Sequence, residues 1–421
     1  MRKLEKMRNN LSVLSKEQFD LLILSPAYFT KYLNRLAQHK NSYGVKTKIV
    51  GLNEIYNGNY FKVKGRDNPE KIKYFIKDSI ENWKISYVLL VGDVNKLPIR
   101  ETHMWDDKFI TDLYYADIYN KDGSFSSWDV NGNGLFGEYH HNGETDFLDL
   151  HPDVGVGRLA CRNLIEIQTV VNKIINYERR TYGQEWFKKI ILCGGDTISG
   201  KRRRYDKWWN WTGRGGPEGE YVNQLIAEKL PDFNHIKLGT SLRNLNSLSV
   251  VKEINKGAGF AHFSGHGTEL YWFTTSENSL KEIPFGFPLN YLLFNGYKLP
   301  IIFFDGCNIG KLDYKIKKIN FPCLAWQLVG KTYGGAIATI GSGRASFSGI
   351  LEGGAAMLAL YFFKAYNNCK YITLSQMYMN AQNEYIDNFK DRMILQEYNL
   401  LGDPSLRVGG YPSIGEEEIY I

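Results

Sequence analysis

Apolar positions along this chain follow two rhythms. Short runs are apolar at nearly every position: LLILS (21–25), KTKIVG (46–51), YVLLVGD (87–93), residues 154–157, KIILCG (189–194), residues 235–238, residues 259–264, PIIFFD (300–305) and GAIATI (335–340). Runs of that kind read as strands buried on both faces rather than as half-exposed ones, which would alternate. Between them lie longer stretches with apolar residues every three to four positions, which predict helices over 26–43, 69–83, 164–182, 220–229, 247–256 and 351–366. The 247–256 helix opens on a serine suited to capping it. Strands alternating with helices predict an α/β fold. We expect two adjoining α/β subdomains with mostly parallel sheets flanked by helices, residues 1–185 and 186–421. An Asp/Asn/Gly-rich insertion at 106–152 interrupts the first, and a polar Arg/Trp/Gly loop at 196–219 interrupts the second. Connections that long in a compact domain usually carry function.

The candidate chemistry lies at two of these strand ends. In GFAHFSGHGTELYW (259–272) an apolar run ends in Ser-Gly-His-Gly, placing His266 just past the carboxyl end of a buried strand. IIFFDGCNIG (301–310) repeats the grammar and delivers Cys307. The two residues are 41 apart, which is room for one crossover returning a parallel strand beside the first. Both side chains then emerge at one sheet edge, where open α/β sheets bind ligands, on strands spaced about 5 Å apart. A thiol beside an imidazole supports nucleophilic attack on an acyl carbon. Gly265 and Gly267 permit tight turns and close approach of a peptide backbone. The N–H groups of Gly267 and Cys307 are candidate oxyanion donors, each worth about 3–4 kcal/mol in the transition state. Taken singly, a cysteine after a strand is most often core and a histidine between glycines most often a turn residue. Their conjunction in successive units is what points to a site. Of the five cysteines, the other four (Cys161, Cys193, Cys323 and Cys369) lack this context. The odd count without CxxC spacing argues against a disulfide framework.

HFSGHG followed by FFDGCNIG resembles the gingipain-type cysteine peptidases of the caspase-like group. DLLILSPAYFTKYLNRLAQHKNSYGVKTKIV, YVLLVGDVNKLP, TDLYYADI, VGVGRLACRNLIEIQTVVNKIINYE and LLGDPSLRV resemble that family's recurring blocks in the same order, over residues 20–408. The resemblance implies a two-part α/β catalytic domain with the caspase-like sheet in 186–421. It implies peptide-bond hydrolysis through an acyl-enzyme, with Cys307 as nucleophile and His266 as base and acid. It also implies a carboxylate that orients the histidine. Asp196 stands at a fitting strand end, where it reads equally as a turn or cap residue, and Glu220 is the second choice. The family's best-known members cut after Arg or Lys using a pocket carboxylate, for which Asp206 and Glu218 are the candidates. Arg344, in GSGRASFSG (341–349), would wall the pocket and favour an acidic partner.

DVNGNGLFGE (129–138) places Asp129, Asn131, Asn133 and Glu138 with intervening glycines, the grammar of a calcium loop. It departs from an EF-hand: the closing glutamate comes at position 10, and a solvated Asx/Gly turn reads the same way. Asp112 and Asp117 are possible further ligands, and the family resemblance implies a structural calcium ion. Net charge is +7, spread along the chain except for the 201–204 cluster KRRR, so no nucleic-acid partner is expected. No apolar stretch reaches membrane-spanning length, and MRKLEKMRNNLSVLSKEQ lacks a signal-peptide core. A cytoplasmic protein is therefore expected, although a processed secreted fragment would read identically. No phosphate-cradling GxxxxGK[ST] is present. The expected partner is a peptide or protein substrate, and nothing in the pattern specifies an oligomeric state. Three functions fit: a cysteine endopeptidase, a thiol acyl transferase or transpeptidase on the same dyad, and an inactive α/β binding module.

Overall fold

The structure, a computed structural model, describes residues 17–195, 217–275, 281–368 and 372–412. The first four long apolar runs form β1 (Leu21–Ser25), β2 (Thr47–Gly51), β3 (Tyr87–Val91) and, after the insertion, β8 (Gly155–Leu159). The insertion, together with the residues just before it, carries four short strands, β4 (Glu101–Met104), β5 (Asp107–Ile110), β6 (Tyr139–His141) and β7 (Glu144–Thr145), which make a separate small sheet. Then come β9 (Lys189–Gly194), β10 (Asn234–Gly239) and β11 (Phe260–Ser264). The arch β12 (His266–Gly267), β13 (Tyr271–Thr275) and β14 (Glu282–Gly286) follows, and after it β15 (Ile301–Asp305). A small hairpin, β16 (Lys315–Ile316) and β17 (Ile319–Asn320), leads to β18 (Ala338–Ser342) and β19 (Tyr398–Leu401).

Ten strands join in one sheet, in the order β10-β9-β11-β15-β18-β19-β8-β3-β1-β2. Within each half the strands are parallel. β19 joins the halves, antiparallel to β18 and parallel to β8. The two parallel sets therefore run in opposite directions, and β19 makes them one continuous layer. The layer is apolar because helices cover both faces. Helices Thr30–Ser42, Leu164–Arg180 and Leu324–Gly330 pack in succession on one side; Glu218–Lys229, Ala355–Asn367 and Leu374–Phe389 do so on the other. β15 is buried at all five positions. The Phe303 ring lies 5.8 Å from that of Phe362 and 5.6 Å from that of Tyr398, and Phe304 lies 5.0 Å from Phe263. Each such ring contributes about 1.5–3 kcal/mol by leaving water.

Two predicted boundaries move for local reasons. The helix expected from 351 starts at Ala355, because Gly353 and Gly354 have φ of 106° and 81°, outside helical space. The last predicted strand begins at Ala338 rather than 335, after a turn through Gly335 at φ 85°. The late LLGDPS segment is anchored to the first half through Lys40, whose ammonium pairs with Glu178 at 2.6 Å and Asp403 at 2.7 Å, all three buried. Among the described residues no helix is long and apolar enough to cross a membrane.

Candidate active site

β10 lies on one side of β9 and β11 on the other, so the chain reverses direction across the sheet between β9 and β11. That reversal opens a crevice at the carboxyl ends of the strands, where ligands bind in such sheets. His266 stands at this edge. β11 and β15 are parallel neighbours with Ser264 opposite Asp305. His266 and Cys307 each follow two residues later, on the same rim.

The glycines around the histidine are explained by crowding. A methyl group on Gly265 would lie 2.6 Å from the Phe273 carbonyl oxygen, and one on Gly267 would lie 2.3 Å from the Cys307 carbonyl oxygen. A methyl on Gly306 would be 3.2 Å from the His266 carbonyl group. The Gly-His-Gly and Gly-Cys turns thus run backbone against backbone, and Gly265 N–H donates to the Asp305 carbonyl at 3.0 Å. His266 then pairs with Phe273 of the arch, its ring stacked on the phenyl at 5.1 Å. Thr268 N–H donates to the Tyr271 carbonyl, so bonding positions alternate as 266 and 268, and the Gly267 N–H points out of the ladder.

Cys307 is half-buried; Cys161, Cys193 and Cys323 are fully buried, and Cys369 lies outside the described residues. The Cys307 Sγ donates to the Ser346 carbonyl at 3.2 Å and accepts from the Ser346 N–H at 3.3 Å. Burial pushes this thiol above its ordinary value; the Ser346 N–H opposes that, while Glu397 and Asp305 add to it. Beneath the thiol, Asp305 Oδ2 accepts from Ser348 Oγ at 2.6 Å and Ser264 Oγ at 3.0 Å. Burial pushes the Asp305 carboxyl up to about 6, moderated by the two hydroxyls and by the nearby His266. His262, in the same apolar run as His266, is the opposite case. It is fully buried, bonded to Asn223 at 2.8 Å, and burial pushes it down to about 3, so it stays neutral.

Not every candidate reaches the site. Asp196 and Asp206 lie outside the described residues. Glu220 accepts from Thr240 Oγ1 at 3.2 Å and Ser241 N–H at 2.8 Å, which places its carboxylate at the exit of β10, with β9 between it and β11. It is not placed to orient His266. Glu218 opens the helix Glu218–Lys229. The Arg344 guanidinium grips Asp313 with two bonds of 2.9 and 2.7 Å and lies 3.7 Å from Asp107, so it pins its loop. The sequence reading missed Asp305, Ser346, Ser348 and Tyr398. A signal was present for Asp305, an acidic residue ending an otherwise apolar strand two positions before the cysteine.

The 129–138 loop closes on itself. Glu138 accepts from the amides of Asn131 at 3.1 Å and Asn133 at 2.7 Å, and Asp129 Oδ2 accepts from Gly134 N–H at 3.1 Å and pairs with Arg66. Asp112 is held by Arg158 and Asp117 by Trp128, so neither joins the loop, each being engaged elsewhere. Among the described residues no three His, Cys, Asp or Glu side chains group closely enough to hold a metal by themselves. The loop nevertheless offers a hard-oxygen set, with Asp129 Oδ1 buried and without a hydrogen-bond partner. Such a set fits calcium once amide and backbone oxygens complete it.

Fold and rim together define an α/β protein whose largely parallel sheet carries a half-buried thiol at one edge, on the strand beside the one that leads to His266. The profile of Peptidase family C25 matches residues 14–409, and the chain belongs to that family. Gingipain R2 of Porphyromonas gingivalis is 23% identical over 408 residues, covering 93% of this chain and 46% of the relative. Gingipain R1 of the same organism is 23% identical over 384 residues, covering 88% of this chain and 32% of the relative. The chain thus spans less than half the length of these curated relatives. Among solved structures, the Arg-specific cysteine proteinase gingipain R superposes with a TM-score of 0.66 at 20% identity, covering 94% of this chain and 79% of that one. The complex of pro- and mature domains of a P. gingivalis gingipain gives 0.65 at 21% identity, with 92% and 79% covered. At this identity the likeness establishes the fold.

Proposed function

We propose that this chain is a cysteine endopeptidase acting through Cys307 and His266. The observation that carries the reading is the backbone-to-backbone abutment of the two turns at one rim, which is what makes Gly267 indispensable. His266 takes the thiol proton as sulfur attacks the scissile carbonyl, forming a C–S bond and an oxyanion toward the Gly267 N–H. The C–N bond breaks as the imidazolium returns its proton to the leaving amine. Water then attacks the thioester, giving its proton to His266, and the acid product leaves with Cys307 regenerated. Cleavage after Arg or Lys belongs to this reading, supported by the Arg-specific designation of the similar structure; Asp206 is the proposed pocket acid. Asp129, Asn131, Asn133 and Glu138 would hold a structural calcium ion, which would neutralise the loop's carboxylates.

The test is incubation of the protein with a mixed peptide library, reading cut sites by mass spectrometry, with Cys307→Ala and His266→Ala alongside. Cleavage that depends on both residues supports the proposal. Cleavage surviving either substitution, or a new amide bond in place of hydrolysis, refutes it.

A further inference from the structure

The thiol is held by a loop that side-chain bonds anchor on either side of Ser346. Ser346, whose N–H and carbonyl meet the Cys307 sulfur, sits midway between Arg344 and Ser348. Arg344 is fixed by Asp313. Ser348 is fixed by Asp305, the last residue of β15, only 2% exposed. The same Asp305 oxygen also receives the hydroxyl of Ser264, the last residue of β11. One buried carboxylate therefore ties together the strand leading to His266, the strand leading to Cys307 and the loop lying on the sulfur. A third contact, Ser346 Oγ to the Tyr398 hydroxyl at 3.3 Å, holds the middle of the loop to β19. Both bonds go to the same carboxylate oxygen and share its charge, which makes each about twice as strong as a neutral bond; the Ser348 bond, 2.6 against 3.0 Å, is the shorter.

We propose that Asp305 is a positioning residue: by holding Ser348 and Ser264 at once it seats the 344–348 loop on Cys307 and fixes the thiol relative to His266. Its importance for turnover rests on the cysteine-peptidase reading above; its hold on the loop does not. Asp305 positions the sulfur through Ser348 and Ser346, in addition to the electrostatic effect of its charge on the thiol. Loss of the anchor frees the Ser348 side chain and loosens its grip on Ser346, while backbone bonds from Ala355 N–H to the Phe347 carbonyl at 2.9 Å and from Ala356 N–H to the Ser348 carbonyl at 3.0 Å keep the far end of the loop in place. The sheet beneath stays paired, because β15 and β18 are joined by backbone bonds independent of the carboxylate.

The experiment compares wild type, Ser348→Ala, Ser348→Thr and Asp305→Asn. Two readouts are taken: the rate of Cys307 alkylation by iodoacetamide, followed by intact mass, and kcat and KM on a peptide found in the library screen. Ser348→Ala sits at a loop position and keeps the core intact, so it remains informative if Asp305→Asn folds poorly. Ser348→Ala is expected to change the alkylation rate about fivefold or more, because loop seating sets access to the sulfur. It is expected to lower kcat about 10- to 100-fold with KM nearly unchanged, the signature of lost alignment. Ser348→Thr keeps the hydroxyl and is expected to restore both. Alkylation and kcat in Ser348→Ala within twofold of wild type, or a threonine variant no better than alanine, overturn the proposal. If wild type cleaves no peptide while alkylation follows the predicted pattern, the peptidase reading fails and the anchoring role of Asp305 stands.

Discussion

Glu397 offers a sharp test of the electrostatics under the rim. It ends the helix Arg392–Glu397 just before β19, is 2% exposed, and its carboxyl accepts from Ser342 Oγ at 3.3 Å. Burial pushes its carboxyl from 4.5 up to about 9; the Ser342 hydroxyl and Arg344 oppose this, and Asp391 and Asp107 add to it. At neutral pH the folded chain therefore keeps this group protonated while the unfolded chain ionises it. The sign follows from linkage. A carboxyl raised on folding favours the native state fully below 4.5, and that contribution is lost progressively as pH climbs toward 9. At about 1.4 kcal/mol per pH unit, the loss between 4.5 and 7 is about 3 kcal/mol. Glu397→Gln is a neutral isostere that keeps an acceptor for Ser342 and carries no such penalty. Thermal melts at pH 5, 7 and 8.5 should show the variant barely more stable at pH 5. At pH 7 it should melt about 3–4 °C higher, the value for about 3 kcal/mol in a chain of this size. The gap should widen again at pH 8.5. A gap independent of pH, or a variant less stable at pH 7, would refute the assignment of a neutral acid at this position.

Three further outcomes are expected. Gly267→Ala introduces a methyl 2.3 Å from the Cys307 carbonyl oxygen and 2.6 Å from the Ile309 side chain, so the two turns must separate. It should destabilise the chain by about 1–3 kcal/mol and reduce peptide cleavage more than Cys307 accessibility; a wild-type-like variant removes the basis for adjacency. Native-state labelling with excess iodoacetamide should modify Cys307 and spare Cys161, Cys193 and Cys323, whose thiols burial pushes upward, Cys323 up to about 12. Labelling of Cys193 as fast as Cys307 contradicts the burial pattern. Adding calcium to chelator-treated protein should raise the melting temperature, by about 2.7 kcal/mol of stabilisation at a hundredfold excess over Kd, and Asp129→Asn should abolish the rise; a melt indifferent to calcium sinks the metal proposal.

The central apolar runs were legible because a strand covered on both faces has few polar positions to obscure it, while the edge strands β2 and β10 carry polar residues at partly exposed positions. His266 and Cys307 were legible for a related reason: each follows such a run through a glycine, and parallel pairing turns equal offsets from the strand end into spatial adjacency. β19 was not read as a strand. Tyr398–Leu401 is four residues long and carries Asn399, whose amide is committed to the Ile110 carbonyl at 3.1 Å, a tertiary contact with no local signature. Asp305 and Ser348 escaped for the same reason. Their bond spans 43 positions; the acid ending an apolar strand hints at Asp305, but nothing near it points to Ser348 as its partner. Arg344 was read as a ligand contact because an exposed arginine in a pocket loop looks free until Asp313 is found beside it. The sequence of 129–138 read either as a calcium loop or as an Asx/Gly turn; what it did not announce is Arg66, more than sixty positions earlier, which supplies counter-charge to Asp129.

The opposed halves give the insertion its purpose in the fold. β3 leaves the sheet at the rim away from Cys307, because its direction is opposite to that of β15 and β18. β8 runs parallel to β3, so it must begin at the near rim, and residues 92–154 have to bring the chain across the sheet. A single helix would satisfy that topology. Instead the chain builds β4 to β7, and this detour brings Asp107 within 3.7 Å of Arg344, at one anchor of the loop that lies on the thiol. Ile110 accepts from Asn399 at the same place, next to Glu397 and Tyr398. The walls of the site therefore come from both halves of the chain: strand ends and arch from the second, insertion hairpin from the first, with β19 as the seam. A thiol and an imidazole on two neighbouring strands need only the second half. The composite wall requires the whole sheet, and the family match likewise runs from residue 14 to 409.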